Sequence, residues 1–268
     1  MSNYISKALD ASGTIDWSQS ENQTWQTLYN RQVDIVKERA CREFIDGIDL
    51  LHMSSNHVPQ LYELTNAFKQ TTHWTVAPVP AMITPEQFFE LLATKTFPAA
   101  TFIRTPEDLD YLEEPDIFHE FFGHCPMITH QPFADFIQAY GRLALSASVE
   151  DRKYLARLFW FTVEFGLIQT NKGVRCYGGG ILSSKNETIY AVESTVPLRK
   201  SFDLVEVLRT PYRVDQIQGV YYVIQSFEQL YHLLQEDIHA AIEVARSLGE
   251  LPLVQIDKDA SKDEWITC

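Results

Sequence analysis

The sequence predicts a mainly α protein with a minor α+β component: one helix-rich domain that carries a few short strands. Three observations lead there. Apolar residues recur at the spacing of an amphipathic helix along most of the 268 residues. Helix-start signals punctuate the chain, as in Ser18-Gln19-Ser20-Glu21, Thr84-Pro85-Glu86-Gln87 and Ser226-Phe227-Glu228-Gln229. Runs suited to strands are few and short. No repeat, low-complexity tract or linker interrupts the pattern. The simplest organisation is therefore an N-terminal arm over residues 1–16, one compact domain over 17–256 and a polar tail over 257–268.

Taken in order, the Ser18 capping box introduces a long amphipathic helix with Trp25, Leu28, Tyr29, Val33, Val36, Ala40 and Phe44 on one stripe. Pro59 opens a second helix with Leu61, Leu64 and Phe68 on one face. Thr84 and Pro85 start a third, which carries Phe88, Phe89, Leu91 and Leu92. Ala99 to Ile103 reads as a short strand, Thr105-Pro106 as a helical turn and Pro115 as the first position of a further helix. Two helices follow, marked by Phe133 to Ala144 and by Leu155 to Gly166. Glu187 to Glu193 and Val220 to Ile224 read as strands, and Ser226 caps a last helix closed by Gly249.

Charge and composition exclude several classes of function. A net charge of −14 and a pI near 4.9 oppose nucleic-acid binding and an anionic membrane surface. No apolar run approaches the ~20 residues that span a bilayer, and the N-terminus lacks the pattern of a secretory signal. Cys41, Cys125, Cys176 and Cys268 stand apart without metal or redox spacing, which fits a reducing cytoplasm.

One stretch carries chemistry. In Pro115-Asp116-Ile117-Phe118-His119-Glu120-Phe121-Phe122-Gly123-His124 two imidazoles are five residues apart, not the four of the HExxH zinc proteases. On an uninterrupted α-helix that spacing turns the second ring about 140° past the first. A left-handed, helix-ending Gly123 would bring them together, with His119 on the last turn and His124 on the returning chain. An acid further on, Glu164 in Trp160-Phe161-Thr162-Val163-Glu164-Phe165-Gly166, can complete two nitrogens and one carboxylate with open positions, the facial arrangement of non-haem Fe(II) oxygenases. Two alternatives stand beside this reading. His119 and His124 could be core histidines, or Cys125 could be the fourth ligand of a structural zinc. Trp160 lies four residues before Glu164 and shares its helical face, so acid and indole are expected to line one cavity. The glycines of Tyr177-Gly178-Gly179-Gly180-Ile181-Leu182-Ser183-Ser184 lack any phosphate-loop spacing. They suit a flexible segment where backbone approaches a ligand or another segment closely.

Three segments, Pro115 to Pro126 (PDIFHEFFGHCP), Trp160 to Leu167 (WFTVEFGL) and Tyr177 to Ser184 (YGGGILSS), give the chain its resemblance to the pterin-dependent aromatic amino acid hydroxylases, above all to the bacterial members that act on phenylalanine. The resemblance implies a mostly helical catalytic domain that holds Fe(II) and uses tetrahydrobiopterin, or another tetrahydropterin, with dioxygen to convert L-phenylalanine to L-tyrosine. Tyrosine or tryptophan hydroxylation is the alternative within the family, and a zinc hydrolase the alternative outside it. By position His119, His124 and Glu164 resemble the iron ligands at the catalytic centre. Arg104 resembles the arginine that takes the substrate carboxylate, a pairing that a planar guanidinium makes bidentately. Trp160, Phe165, Gly180 and Ser183 resemble the substrate pocket. Phe88 resembles the ring that stacks on the pterin, and Ala81, Met82, Ile83 and Glu120 the segments along its edge, with Glu120 turned about 100° from His119 and away from the metal. The chain shows neither an N-terminal regulatory domain nor a C-terminal heptad helix, so a cytoplasmic monomer or homodimer is expected in place of the animal-type tetramer.

Overall fold

Most helices begin where a short polar side chain satisfies the free N–H groups of the first turn. The computed structural model describes residues 4–80, 83–110, 112, 114–235 and 237–254. Ser18 accepts from the Glu21 N–H while the Glu21 carboxylate accepts from the Ser18 N–H, which starts α1 (Gln19–Val36). The expected long first helix is in fact two. Arg39 and Cys41 leave helical pairing to bond Cys176, through Cys41 N–H to the Cys176 carbonyl and Cys176 N–H to the Arg39 carbonyl, both 2.8 Å. The chain then restarts as α2 (Arg42–Leu50). Next come α3 (Leu61–Lys69), β1 (Thr75–Val79), α4 (Pro85–Ala93) with its Thr84 capping box, and β2 (Thr96–Ala100). Strand β1 has no counterpart among the expected elements, and β2 starts earlier than expected, leaving 101–104 irregular.

The middle of the chain is helical: α5 (Cys125–Ile128), α6 (Gln131–Ser146) and α7 (Val149–Phe159). Two π-helical turns adjoin it, His119–His124 and Trp160–Glu164. The hairpin β3 (Leu167–Thr170) and β4 (Gly173–Cys176) leads to a short helix α8 (Gly179–Leu182). The segment expected to be flexible is thus buried and helical. Residues 187–193 are not the expected strand but part of helix α9 (Lys185–Glu193): Ser184 accepts from the Glu187 N–H at its start and overrides the β-branched Thr188, Ile189 and Val192. After β5 (Leu198–Ser201), α10 (Leu204–Arg209) and β6 (Val220–Ile224), the expected single last helix is split into α11 (Phe227–Leu233) and α12 (Ile238–Leu248), capped afresh by Asp237. Gly249, at φ 75°, ends it as expected. The tail from 257 lies outside the described residues.

Strands β1 and β2 pair in parallel, and a second sheet runs β4-β3-β6-β5. The arm of residues 4–16 is a strap: Lys7 N–H donates to the Thr101 carbonyl, Thr101 Oγ1 donates to the Lys7 carbonyl, and Tyr4 stacks on Phe102 at 4.9 Å. The core is aromatic where it supports the first π-turn. Phe118 stacks on Phe122 at 5.0 Å, Trp25 meets Phe118 edge-on, and Tyr29 and Phe44 meet Phe122. These buried rings fix the turn to α1 and α2 by area and by geometry.

Candidate metal centre and active site

The structure brings His119, His124 and Glu164 together, by a route other than a helix-ending glycine. Gly123 has no left-handed backbone. Instead both segments hydrogen-bond from i to i+5, with Cys125 N–H donating to the Glu120 carbonyl and Phe165 N–H to the Trp160 carbonyl at 2.8 Å. In such a π-turn residues five apart stack over one another. Gly123 is needed for another reason, since a Cβ there would stand 2.7 Å from the Gly179 carbonyl oxygen. Pro115 is not the first helical residue either. Asp116 caps the helix, its carboxylate accepting from the His119 N–H at 3.1 Å.

His119 Nε2 lies 3.0 Å from His124 Nε2, and Glu164 lies 3.3 Å from His124 Nε2 and 3.7 Å from His119 Nε2. Two donors on bonds of ~2.1 Å at a right angle stand ~3.0 Å apart, so the nitrogens already have the separation of neighbouring ligands on one ion. The tautomer of His119 follows from its neighbours. Ser183 Oγ donates to the Gly179 carbonyl at 2.9 Å and so accepts from His119 Nδ1 at 2.9 Å, which leaves Nε2 as a bare lone pair facing the cluster. Burial lowers the His119 pKa to about 4, keeping the ring neutral as a ligand must be. Burial opposes charge on Glu164 as well, but the His124 imidazole, then His119, and the Gly180 N–H outweigh it and hold the carboxyl ionised, well below its usual range.

Three glycines make room for this arrangement. A Cβ on Gly179 would lie 2.4 Å from the His124 ring, one on Gly178 2.3 Å from the Glu164 carbonyl oxygen, and one on Gly180 3.0 Å from the Phe165 ring. The close approach expected of these glycines is to the segments that carry His124 and Glu164. Ser183, expected in the substrate pocket, stands behind His119, with its hydroxyl 2.9 Å from Nδ1. Glu120 is not turned clear of the cluster: one of its oxygens and a nitrogen from each histidine lie within 4.8 Å of one another. Burial, with the nearby Glu164 charge adding to it, lifts Glu120 to about 8. Two carboxyls therefore share the cluster, one ionised and one protonated.

Arg104 is buried, and most of its fork is engaged. Nε and Nη2 donate to the two oxygens of Asp116 at 2.8 Å each, and its backbone N–H donates to the same carboxylate at 3.0 Å. Burial works against both charges, yet the pairing raises Arg104 and lowers Asp116, so both stay ionised. Asp116 was not among the expected site residues, although it joins Arg104 to the start of the His119 turn. Trp160 is half-buried between two rings, with Phe165 at 4.5 Å and Tyr212 stacked at 4.2 Å, and its indole N–H donates to Gln218 Oε1 at 3.0 Å. Tyr212 and Gln218 come from a loop distant in sequence and carried no motif. Phe88 meets Phe159 edge-on at 5.5 Å, and Ile83 sits partly buried just before α4. Ala81 and Met82 lie outside the described residues.

The chain matches the family described as biopterin-dependent aromatic amino acid hydroxylase over residues 4–246. It is 50% identical over 252 residues to the phenylalanine-4-hydroxylase of Vibrio cholerae, covering 94% of this chain and 87% of that one. The solved phenylalanine hydroxylase of Legionella pneumophila superposes with a TM-score of 0.91 at 51% identity, over 92% of this chain and 98% of that one. A structure of the Chromobacterium violaceum enzyme with bound iron(III) and oxidised 7,8-dihydrobiopterin superposes with a TM-score of 0.85 at 39% identity, over 94% and 93%. The chain belongs to the biopterin-dependent aromatic amino acid hydroxylases.

Proposed function

We propose that His119, His124 and Glu164 hold the iron of a phenylalanine 4-monooxygenase, with Arg104, Trp160 and Phe165 receiving the substrate. The enzyme hydroxylates L-phenylalanine to L-tyrosine with iron, a tetrahydropterin and dioxygen. The observation that carries the site assignment is the convergence of His119 Nε2, His124 Nε2 and the ionised Glu164 carboxylate within 3.0–3.7 Å.

When bound, iron with the tetrahydropterin supplies the activation of dioxygen and the electrons for it. The chain's own residues do the rest. Ser183 fixes the His119 ring so that Nε2 faces the ion. Asp116 holds Arg104 rigidly, and its Nη1, which Asp116 does not engage, is the group we assign to the substrate carboxylate. Because Trp160 is flanked by Phe165 and Tyr212, it meets the substrate ring as part of a fixed aromatic wall that helps exclude water. Glu120, protonated beside the cluster, and Ile83 suit the hydrogen-bonding edge of a pterin, and Phe88 suits its face. We further assign residues 17–256 to one catalytic unit strapped by residues 4–16, acting in the cytoplasm as a monomer or homodimer. The buried free thiols Cys41, Cys125 and Cys176 support that compartment, and no helix among the described residues is long and apolar enough to cross a membrane.

The test is anaerobic loading with ferrous iron, then addition of air, tetrahydrobiopterin and each of phenylalanine, tyrosine and tryptophan in turn, with chromatography of the products. Tyrosine from phenylalanine is expected as the main product; hydroxylation of tryptophan or tyrosine in its place would overturn the assignment of substrate.

A further inference from the structure

Trp160 is the largest ring of the proposed substrate wall; on its π-turn it packs against Phe165 and Tyr212, and that stacking alone does not choose where the indole N–H points. A single side chain from the loop before β6 does. Gln218 is buried, and its amide is fully committed: Oε1 accepts from the Trp160 indole N–H at 3.0 Å, while Nε2 donates to the Arg213 carbonyl at 2.8 Å and the Gln216 carbonyl at 3.0 Å. With both N–H groups held by carbonyls, the amide cannot flip, so its oxygen is the atom that faces Trp160.

The other end of this side chain is anchored as well. The Gln218 backbone N–H donates to Glu187 Oε1 at 3.1 Å, and the same oxygen accepts from the Tyr221 hydroxyl. Glu187 and Tyr221 are buried and sit on α9 and β6, so the loop of residues 210–218 is tied to the rigid body of the fold at its last residue. The clamp on the Arg213 carbonyl fixes the chain one residue after Tyr212, the ring that stacks on Trp160 at 4.2 Å and 13°. One glutamine therefore governs both members of the stack, the indole through its N–H and the phenol ring through its backbone.

We infer that Gln218 is a positioning residue for phenylalanine, setting the pose of the Trp160–Tyr212 wall against which the substrate ring is held. It touches neither the metal cluster nor the proposed pterin residues, so its effect is confined to the amino acid substrate. The inference rests on the reading that Trp160 lines the substrate pocket.

The experiment is a double-mutant cycle of Gln218→Met and Trp160→Phe in the iron-loaded enzyme, with KM for phenylalanine, KM for tetrahydrobiopterin, kcat and bound iron measured for all four proteins. Gln218→Met removes the hydrogen bonds with little change of volume and is expected to raise the KM for phenylalanine about fivefold to tenfold. The KM for pterin and the iron content should stay within about twofold. In the Trp160→Phe background, where no indole N–H exists, the added effect should shrink to about half or less. If Trp160→Phe alone leaves the phenylalanine KM unchanged, the pocket reading itself fails. If it shifts that KM while Gln218→Met does not, or does so equally in both backgrounds, the pocket reading stands and the positioning role is overturned. Should Gln218→Met not fold, the wild-type enzyme decides by NMR with labelled tryptophan. A Trp160 indole N–H, assigned by its loss in Trp160→Phe, that is protected from exchange and shifted by phenylalanine supports the role. One that exchanges as freely as an exposed indole overturns it.

Discussion

The hydroxyl of Ser183 accepts from His119 Nδ1 at 2.9 Å while donating to the Gly179 carbonyl at the same distance. That single hydroxyl fixes the tautomer and the orientation of a proposed iron ligand. Ser183→Ala is expected to lower iron affinity by ~10–100-fold, with a smaller change in the KM for phenylalanine. Competition with a ferrous chelator measures it. A variant that keeps its iron but loses affinity for phenylalanine would place Ser183 in the substrate pocket after all.

Gly179 gives a sharper steric case. Its missing Cβ would lie 2.4 Å from the His124 ring, against buried backbone on α8 that has no room to retreat. Gly179→Ala should lose bound iron and tyrosine formation while keeping the wild-type helical circular dichroism. Gly180→Ala, whose Cβ would meet the Phe165 ring at 3.0 Å, should keep its iron.

Removing Asp116 leaves the Arg104 guanidinium charged, buried and without its partner. Asp116→Ala is expected to cost about 3–5 kcal/mol of stability, read from the shift of a urea unfolding curve, because the charge left behind matters more than the pair itself. Replacing both residues by apolar ones should cost less than Asp116→Ala alone.

Much of this was legible in the sequence because it is local. Capping boxes at Ser18 and Thr84 and apolar stripes such as Leu61, Leu64 and Phe68 depend on neighbours within one or two turns, and the structure keeps them. The histidine pair and Glu164 were legible because rare side chains stand at fixed spacing among aromatics. The i to i+5 hydrogen bonding was not, since an apolar pattern does not report a one-residue change of hydrogen-bond register, and Gly123 was read as a helix end when its function is contact with Gly179. The break after α1 depends on Cys176, far away in sequence, and α9 depends on a cap that outweighs strand propensity. Asp116, Gln218 and Tyr212 act across loops, where no periodicity marks them.

Glu187 carries a pH dependence whose sign can be worked out. Burial raises its pKa from 4.5 to about 7, against the opposing hydrogen bonds from Tyr221 and the Gln218 N–H. Its neutral form is the one the fold favours. The stability it contributes is fully present below the unfolded value and is lost as pH rises through about 7. Glu187→Gln keeps an acceptor oxygen but cannot ionise. It should match the wild type near pH 4–5 and exceed it by up to about 3 kcal/mol at pH 9, measured by urea unfolding across that range. A constant difference at all pH values would contradict the assignment.

Two acids face the histidine pair, and the account requires that only Glu164 bind the iron. The direct measurement is iron stoichiometry, by atomic emission after anaerobic ferrous loading and gel filtration, of Glu164→Ala beside Glu120→Ala. Glu164→Ala is expected to hold no iron and form no tyrosine, whereas Glu120→Ala should hold close to the wild-type amount with a raised KM for the pterin. Iron retained in Glu164→Ala and lost in Glu120→Ala would contradict the account at its centre.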